Sequence, residues 1–160
     1  MDLRQTNGAV IFKCLPFDQL DNQTLYNLLA LRTAVFSVEQ NCAYQDMDGK
    51  DTLAWHLLAY VDGVLVGVAR LLMPGESYPG ACSIGRIACR MDYRSLGIGK
   101  KLMAEAVRLT EKLFPDFPVC IGAQRYLHAF YSKFGFEVSG SPYLEDGIVH
   151  VKMVRQPAGT

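Results

Sequence analysis

The chain has no surplus charge of either sign and no long apolar run. Lys plus Arg equals Asp plus Glu at 16 each, so the formal net charge at pH 7 is zero. That balance excludes a whole-protein nucleic-acid footprint and gives no electrostatic reason to bind a membrane surface. The apolar stretches fall far short of the roughly 20 residues that a spanning helix needs. No signal-like segment opens the chain, because Asp2 and Arg4 precede a polar Gln5-Thr-Asn-Gly8. The five cysteines, Cys14, Cys42, Cys82, Cys89 and Cys120, contain no C-x-x-C, and no histidine stands at metal-ligating spacing. Such a scattered, odd set excludes a disulfide framework, implies no metal centre and suits a reducing cytoplasm. G-x-S-x-G is missing, which removes the basis for a serine hydrolase. A cytoplasmic protein, monomeric or homodimeric, with no nucleic-acid or membrane partner, is the expectation.

What is present is enough for one packed domain. The 160 residues are 50% hydrophobic and 20% charged, and no linker, repeat or low-complexity segment divides them. We expect a single domain over residues 1–160, with its core at about 9–155. Ala9–Cys14 reads as a strand. Asp18–Glu39 carries a helical stripe at Leu25, Leu28, Leu29, Val35 and Phe36, with Asp21 and Asn22 as candidate caps. Asn41–Asp51 is polar and turn-like. Leu53–Val61 and Val64–Leu72 flank Asp62-Gly63, a strong hairpin signal. After a loop at Pro74–Gly80, Ser83–Cys89 reads as a strand and Gly99–Phe114 as an amphipathic helix stopped by Pro115 and Pro118. Val119–Ala123 is a short strand, Arg125–Phe134 a helix closed by Gly135, and Phe136–Val138 and Ile148–Val154 are late strands. Hairpins followed by a strand–helix–strand unit predict an α+β fold, with a mixed sheet and helices on its faces.

One stretch carries chemistry. Arg94-Ser-Leu-Gly-Ile-Gly-Lys-Lys101 sets two glycines at the start of a helix among three cationic side chains. A helix start leaves about four backbone N–H groups unpaired and adds roughly half a positive charge. Glycines let that backbone approach a phosphate. The stretch is not a P-loop, since Lys101 follows Gly99-Lys100. It is not the dinucleotide fingerprint either, since Leu102 stands at the third glycine. By itself it fits a plain turn into a helix as well as a pyrophosphate cradle.

Ile87–Met103 resembles the coenzyme A-binding core of the GNAT superfamily of N-acetyltransferases, and Ala129-Phe-Tyr-Ser-Lys-Phe-Gly-Phe136 resembles its second hallmark. Leu31–Asp51, Ile121–Gln124 and Glu145–His150 look like the ElaA-like subfamily. The resemblance runs from about residue 30 to the C-terminus. It implies a mixed, mostly antiparallel sheet flanked by helices, in which two parallel strands splay apart to form an acetyl-CoA wedge. The backbone of Ile87, Ala88 and Cys89 would pair with the pantetheine arm. Arg94, Ser95, Leu96, Gly97, Ile98 and Gly99 would wrap the pyrophosphate, joined by the amide of Lys100. Gln124 stands where relatives often carry Asn near the cofactor. Tyr131 matches the tyrosine that protonates the departing thiolate.

The acceptor, a primary amine, must lose a proton before it attacks a thioester. Glu39 and His56 are the two candidate bases; the first is otherwise a solvated carboxylate, the second a satisfied core histidine. Arg86 either positions an anionic acceptor or forms an ion pair. Asp46–Asp51 fails as a calcium loop, because Tyr44 and Trp55 fall at its first and last ligand positions. Cys89 has no partner order for an acyl-cysteine. The expected activity is acetyl-CoA-dependent N-acetylation of a small amine; transfer to a protein lysine or N-terminus, or a coenzyme A sensor without transfer, are the alternatives.

Overall fold

The structure, a computed structural model, describes residues 9–159. The polar opening at Asp2–Gly8 lies outside the described residues. Eight strands form one mixed sheet: β1 (Ile11–Pro16), β2 (Trp55–Val61), β3 (Val64–Leu72), β4 (Cys82–Cys89), β5 (Val119–Gln124), β6 (Glu137–Val138), β7 (Tyr143–Glu145) and β8 (Ile148–Arg155). Their hydrogen-bonded order is β1-β2-β3-β4-β5-β8-β6, with β7 also paired to β8. Three α-helices accompany them: α1 (Asn22–Thr33), α2 (Ile98–Leu113) and α3 (His128–Ser132). This is the mixed, open sheet flanked by helices that the sequence implied, with β4 and β5 as its parallel pair.

Contacts within the chain group into two compact units. One runs to Arg70 and resumes over Arg86–Met103; the other takes Leu71–Gly85 and the chain from Ala104 onward.

In the first unit, the helix expected over Asp18–Glu39 is broken into three pieces. A 3-10 turn (Phe17–Gln19) comes first, then α1, whose N-cap Asp21 accepts the Thr24 N–H at 2.7 Å, then a π-helical segment, Ala34–Glu39. An Asp N-cap satisfies one of the unpaired donors of the first turn. Leu28, Leu31 and Val35 bury one stripe of this assembly against Leu58, Val68 and Ala88. The β2–β3 hairpin turns at Asp62 (φ 49°) and Gly63 (φ 78°), the paired positive angles of a type I′ turn.

In the second unit, β5 pairs antiparallel with β8 over its whole length, from Val119–Arg155 to Gln124–His150. The parallel pairing of β4 with β5 joins Cys82 to Val119 and Ser83 to Cys120, while β5 continues to Gln124. Ile121, Ala123, Val151 and Met153 are buried, so they mark the core side of this ladder. Strand alternation then turns Gly122, Gln124, Lys152 and His150 to the other side. Sequence reading missed β7, although its turn to β8 has the same Asp-Gly signal: Asp146 (φ 51°) and Gly147 (φ 76°). The late helix is also shorter than expected, a 3-10 turn (Arg125–Leu127) leading into the five residues of α3.

Candidate functional site

The glycine turn is built as the sequence suggested. A 3-10 turn (Met91–Leu96) ends at Gly97, which is left-handed at φ 71°, and α2 starts at Ile98. Gly97 meets a conformational need, since a side chain in the left-handed region is strained. Gly99 has no such need inside the protein: a Cβ there would meet only Cys89 Sγ, at an ordinary 3.7 Å.

Arg94 does not stand alone above this turn. Its guanidinium donates to both carboxylate oxygens of Glu39, one at 2.7 Å, and to the Cys89 carbonyl at 3.0 Å. The Arg94 hydrogen bonds hold the Glu39 carboxyl below the usual carboxylate range. Cys89 itself is buried, and burial pushes its thiol up to about 11, so a nucleophilic thiolate is disfavoured there.

Asn41–Asp51, polar and turn-like in the sequence, leads into a buried ionic network. Arg32, 1% exposed, donates to Asp46 at 2.9 Å and to Asp51 at 2.7 and 3.1 Å. Arg70 holds Asp48 through two bonds, at 2.8 and 2.9 Å, and reaches Asp51 at 3.1 Å. Burial works to raise the Asp51 pKa, but Arg32 and then Arg70 outweigh it, and the carboxyl titrates below its ordinary range. Arg86 forms an ion pair with Asp46 at 2.8 Å, reaches Asp48 at 3.4 Å, and lies 5.6 Å from the Tyr44 ring centre. It does so from a left-handed backbone (φ 50°) within β4, a strain of order 1–3 kcal/mol that these contacts hold in place.

His56 belongs to this interior. Its exposure is 0%, its Nε2 lies 2.8 Å from the Asp51 carbonyl, and burial is the main cause of a pKa below the ordinary value. The geometry is that of a core histidine.

The second unit gathers a different set. His150 lies directly across the ladder from Gln124 and, in the other direction, from Tyr143 of β7. Its ring stacks on that of Tyr143, with centroids 5.8 Å apart and an interplanar angle of 24°. Nδ1 is 2.8 Å from the Ile148 carbonyl, and Nε2 is 3.8 Å from Glu145 Oε2. Next along this face, a Cβ at Gly122 would stand 2.7 Å from the Tyr143 hydroxyl and 3.4 Å from that of Tyr78, so a side chain there would push the end of Tyr143 aside. Burial raises both phenols, Tyr78 to about 12, which keeps them protonated. Tyr131, on α3, is half-buried, its ring edge-on to Phe130 (5.2 Å) and Phe136 (6.4 Å). His150, Tyr143 and Tyr78 are not among the residues that the sequence singled out. The signal available was the Glu145–His150 stretch, which had been read only as a subfamily likeness.

The family profile described as "Acetyltransferase (GNAT) domain" matches residues 20–156. Protein ElaA of Escherichia coli strain K12 is 40% identical over 144 residues, covering 89% of this chain and 94% of its own. The crystal structure of an acyl-CoA N-acyltransferase from Pseudomonas aeruginosa superposes with a TM-score of 0.87 at 40% identity, covering 92% of this chain and 99% of that one. The crystal structure of Escherichia coli ElaA gives 0.86 at 37% identity over 92% of this chain and all of its own.

Proposed function

This chain belongs to the GNAT acetyltransferase family, whose chemistry is acyl transfer from an acyl-CoA, and from that premise we propose that it acetylates a small primary amine by direct transfer from acetyl-CoA. The observation that carries the reading is the turn ahead of α2. Gly97 is left-handed there, Gly99 answers no packing need of the chain, and Arg94, Lys100 and Lys101 flank it in the sequence. Unpaired helix-start amides among fixed positive charges suit a pyrophosphate.

In this reading the backbone of Ile87, Ala88 and Cys89 pairs with the pantetheine arm, and Arg94–Lys100 enclose the phosphates. Gln124 serves the cofactor from the end of β5. The free amine attacks the thioester carbon, a C–N bond forms, and the oxyanion is met by a strand N–H. As the C–S bond breaks, Tyr131 gives its phenolic proton to sulfur. Holding amine and thioester together is worth roughly 7–11 kcal/mol when alignment is good. The buried, high-pKa Cys89 supports direct transfer over an acyl-cysteine.

The remaining need is a base for the ammonium. Of the two sequence candidates, His56 has its Nε2 against the Asp51 carbonyl in the core, and Glu39 has both oxygens on Arg94. Pairing of that kind keeps a carboxylate ionised and a poor proton acceptor.

Incubation with acetyl-CoA and a pooled amine library, read by mass spectrometry, tests the reading. Acetylated product and free coenzyme A are expected; coenzyme A bound but never consumed would make the protein a sensor instead. Tyr131→Phe should lower kcat about 10²-fold or more while acetyl-CoA affinity changes little. Unchanged turnover would remove Tyr131 from the mechanism.

A further inference from the structure

We infer that His150 is the general base that takes the proton from the acceptor ammonium, an inference that rests on the transfer reading above. A carbonyl oxygen can only accept a hydrogen bond. The 2.8 Å contact between Nδ1 and the Ile148 carbonyl therefore places the ring proton on Nδ1 and leaves the lone pair on Nε2. That is the tautomer a base requires. The stack on Tyr143 fixes the ring plane, and the Glu145 carboxylate, 3.8 Å from Nε2, steadies the imidazolium once it forms.

Placement supports the same role. His150 pairs across the ladder with Gln124, at the end of the strand that leads into the Tyr131-bearing helix, and that helix packs on β5. The groups around the ring are Tyr143 and Glu145 from β7, Gln124 from β5, and Lys152 farther along β8, whose ammonium lies 5.4 Å from the Tyr78 ring centre. Among them Glu145 is the carboxylate, 3.8 Å from Nε2, and burial keeps both phenols protonated. The residue is 9% exposed, buried but not to zero as His56 is.

Atoms balance simply. The ammonium loses one proton to Nε2, and the neutral amine attacks the thioester carbon. The adduct nitrogen sheds its second proton to the phenolate that Tyr131 has become after protonating sulfur. The products are an N-acetyl amide, coenzyme A thiol and one proton, the one His150 later releases to solvent.

His150→Asn tests the inference, because its amide keeps a donor for the Ile148 carbonyl while removing Nε2. Rates are measured with acetyl-CoA and two probes, 2-phenylethylamine, an ammonium at pH 7, and hydroxylamine, which is already neutral. With phenylethylamine, kcat should fall about 10²-fold or more, and the acid limb of its pH profile should disappear. With hydroxylamine the loss should be far smaller, and the KM for acetyl-CoA should stay within about twofold of the wild type's. His150→Gln, with thermal unfolding as a control, replaces the first variant should it fail to fold. Equal losses with both probes, or an acid limb that survives, overturn the inference and leave the transfer reading standing. A wild-type protein that binds acetyl-CoA yet acetylates neither probe nor any member of the pooled library overturns the transfer reading itself, and this inference with it.

Discussion

His56 and His150 both stand in strands, and each has one ring nitrogen against a backbone carbonyl, yet their surroundings differ. His56 presents Nε2 to Asp51 inside a network of three arginines and three aspartates and has no exposure. His150 presents Nδ1 to Ile148, keeps Nε2 toward a carboxylate, and is 9% exposed. The lesson is that a histidine's function lies in its second nitrogen. One that is sealed in the core serves stability, and one that carries a lone pair near an opening can move protons.

The sharpest way to break this comparison is to attack the network around His56. Arg32→Leu removes the most deeply buried cation of the network, leaving Asp46 to Arg86 and Asp51 to Arg70, and should cost up to about 3–5 kcal/mol in urea unfolding. A midpoint close to the wild type's would show that the network does not carry the fold. His56→Leu removes one hydrogen bond to the Asp51 carbonyl and should cost about 1–3 kcal/mol, while the folded fraction keeps its acetylation rate. A large drop in kcat there would restore His56 as the base and take the role from His150.

The smallest effect is one of pH. Burial lowers the His56 pKa in the folded state, whereas the unfolded chain takes up that proton near pH 6.5. Stability is therefore whole above that value and declines as the pH falls below it. The loss is complete once the pH passes beneath the lowered folded value. Thermal unfolding from pH 8 to pH 4 should show this decline in the wild type, and His56→Leu should remove that part of it. A decline that persists unchanged in the variant would point to the carboxylates, whose own loss belongs to lower pH because Asp48 and Asp51 titrate below their ordinary range.

Much of the fold was legible because its signals are local. Asp62-Gly63 announced the β2–β3 hairpin, and the apolar spacing from Leu102 to Leu113 announced α2. Asp146-Gly147 carried the same hairpin signal but was passed over, since β7 is three residues long and gives no alternation to notice. The long first helix was misjudged for a related reason: its stripe continues into the π-helical segment, where widened hydrogen bonding changes the backbone but not the apolar spacing.

Of the proposed site, the glycine turn and Tyr131 were legible, because short motifs carry the resemblance there. The ionic network around Asp46, Asp48 and Asp51 was not legible. A local window shows only their polarity, while their partners Arg32 and Arg86 stand 14 and 40 residues from Asp46. The sequence by itself determined the family, the turn that suits a pyrophosphate and the strand and helix succession, because each depends on neighbours within a few residues. Only the tertiary structure decided which acids are buried, what holds Glu39, and which histidine has a carboxylate beside its second nitrogen. Those properties depend on strand register and burial, and a chain acquires them only when residues far apart along it are brought within hydrogen-bonding distance.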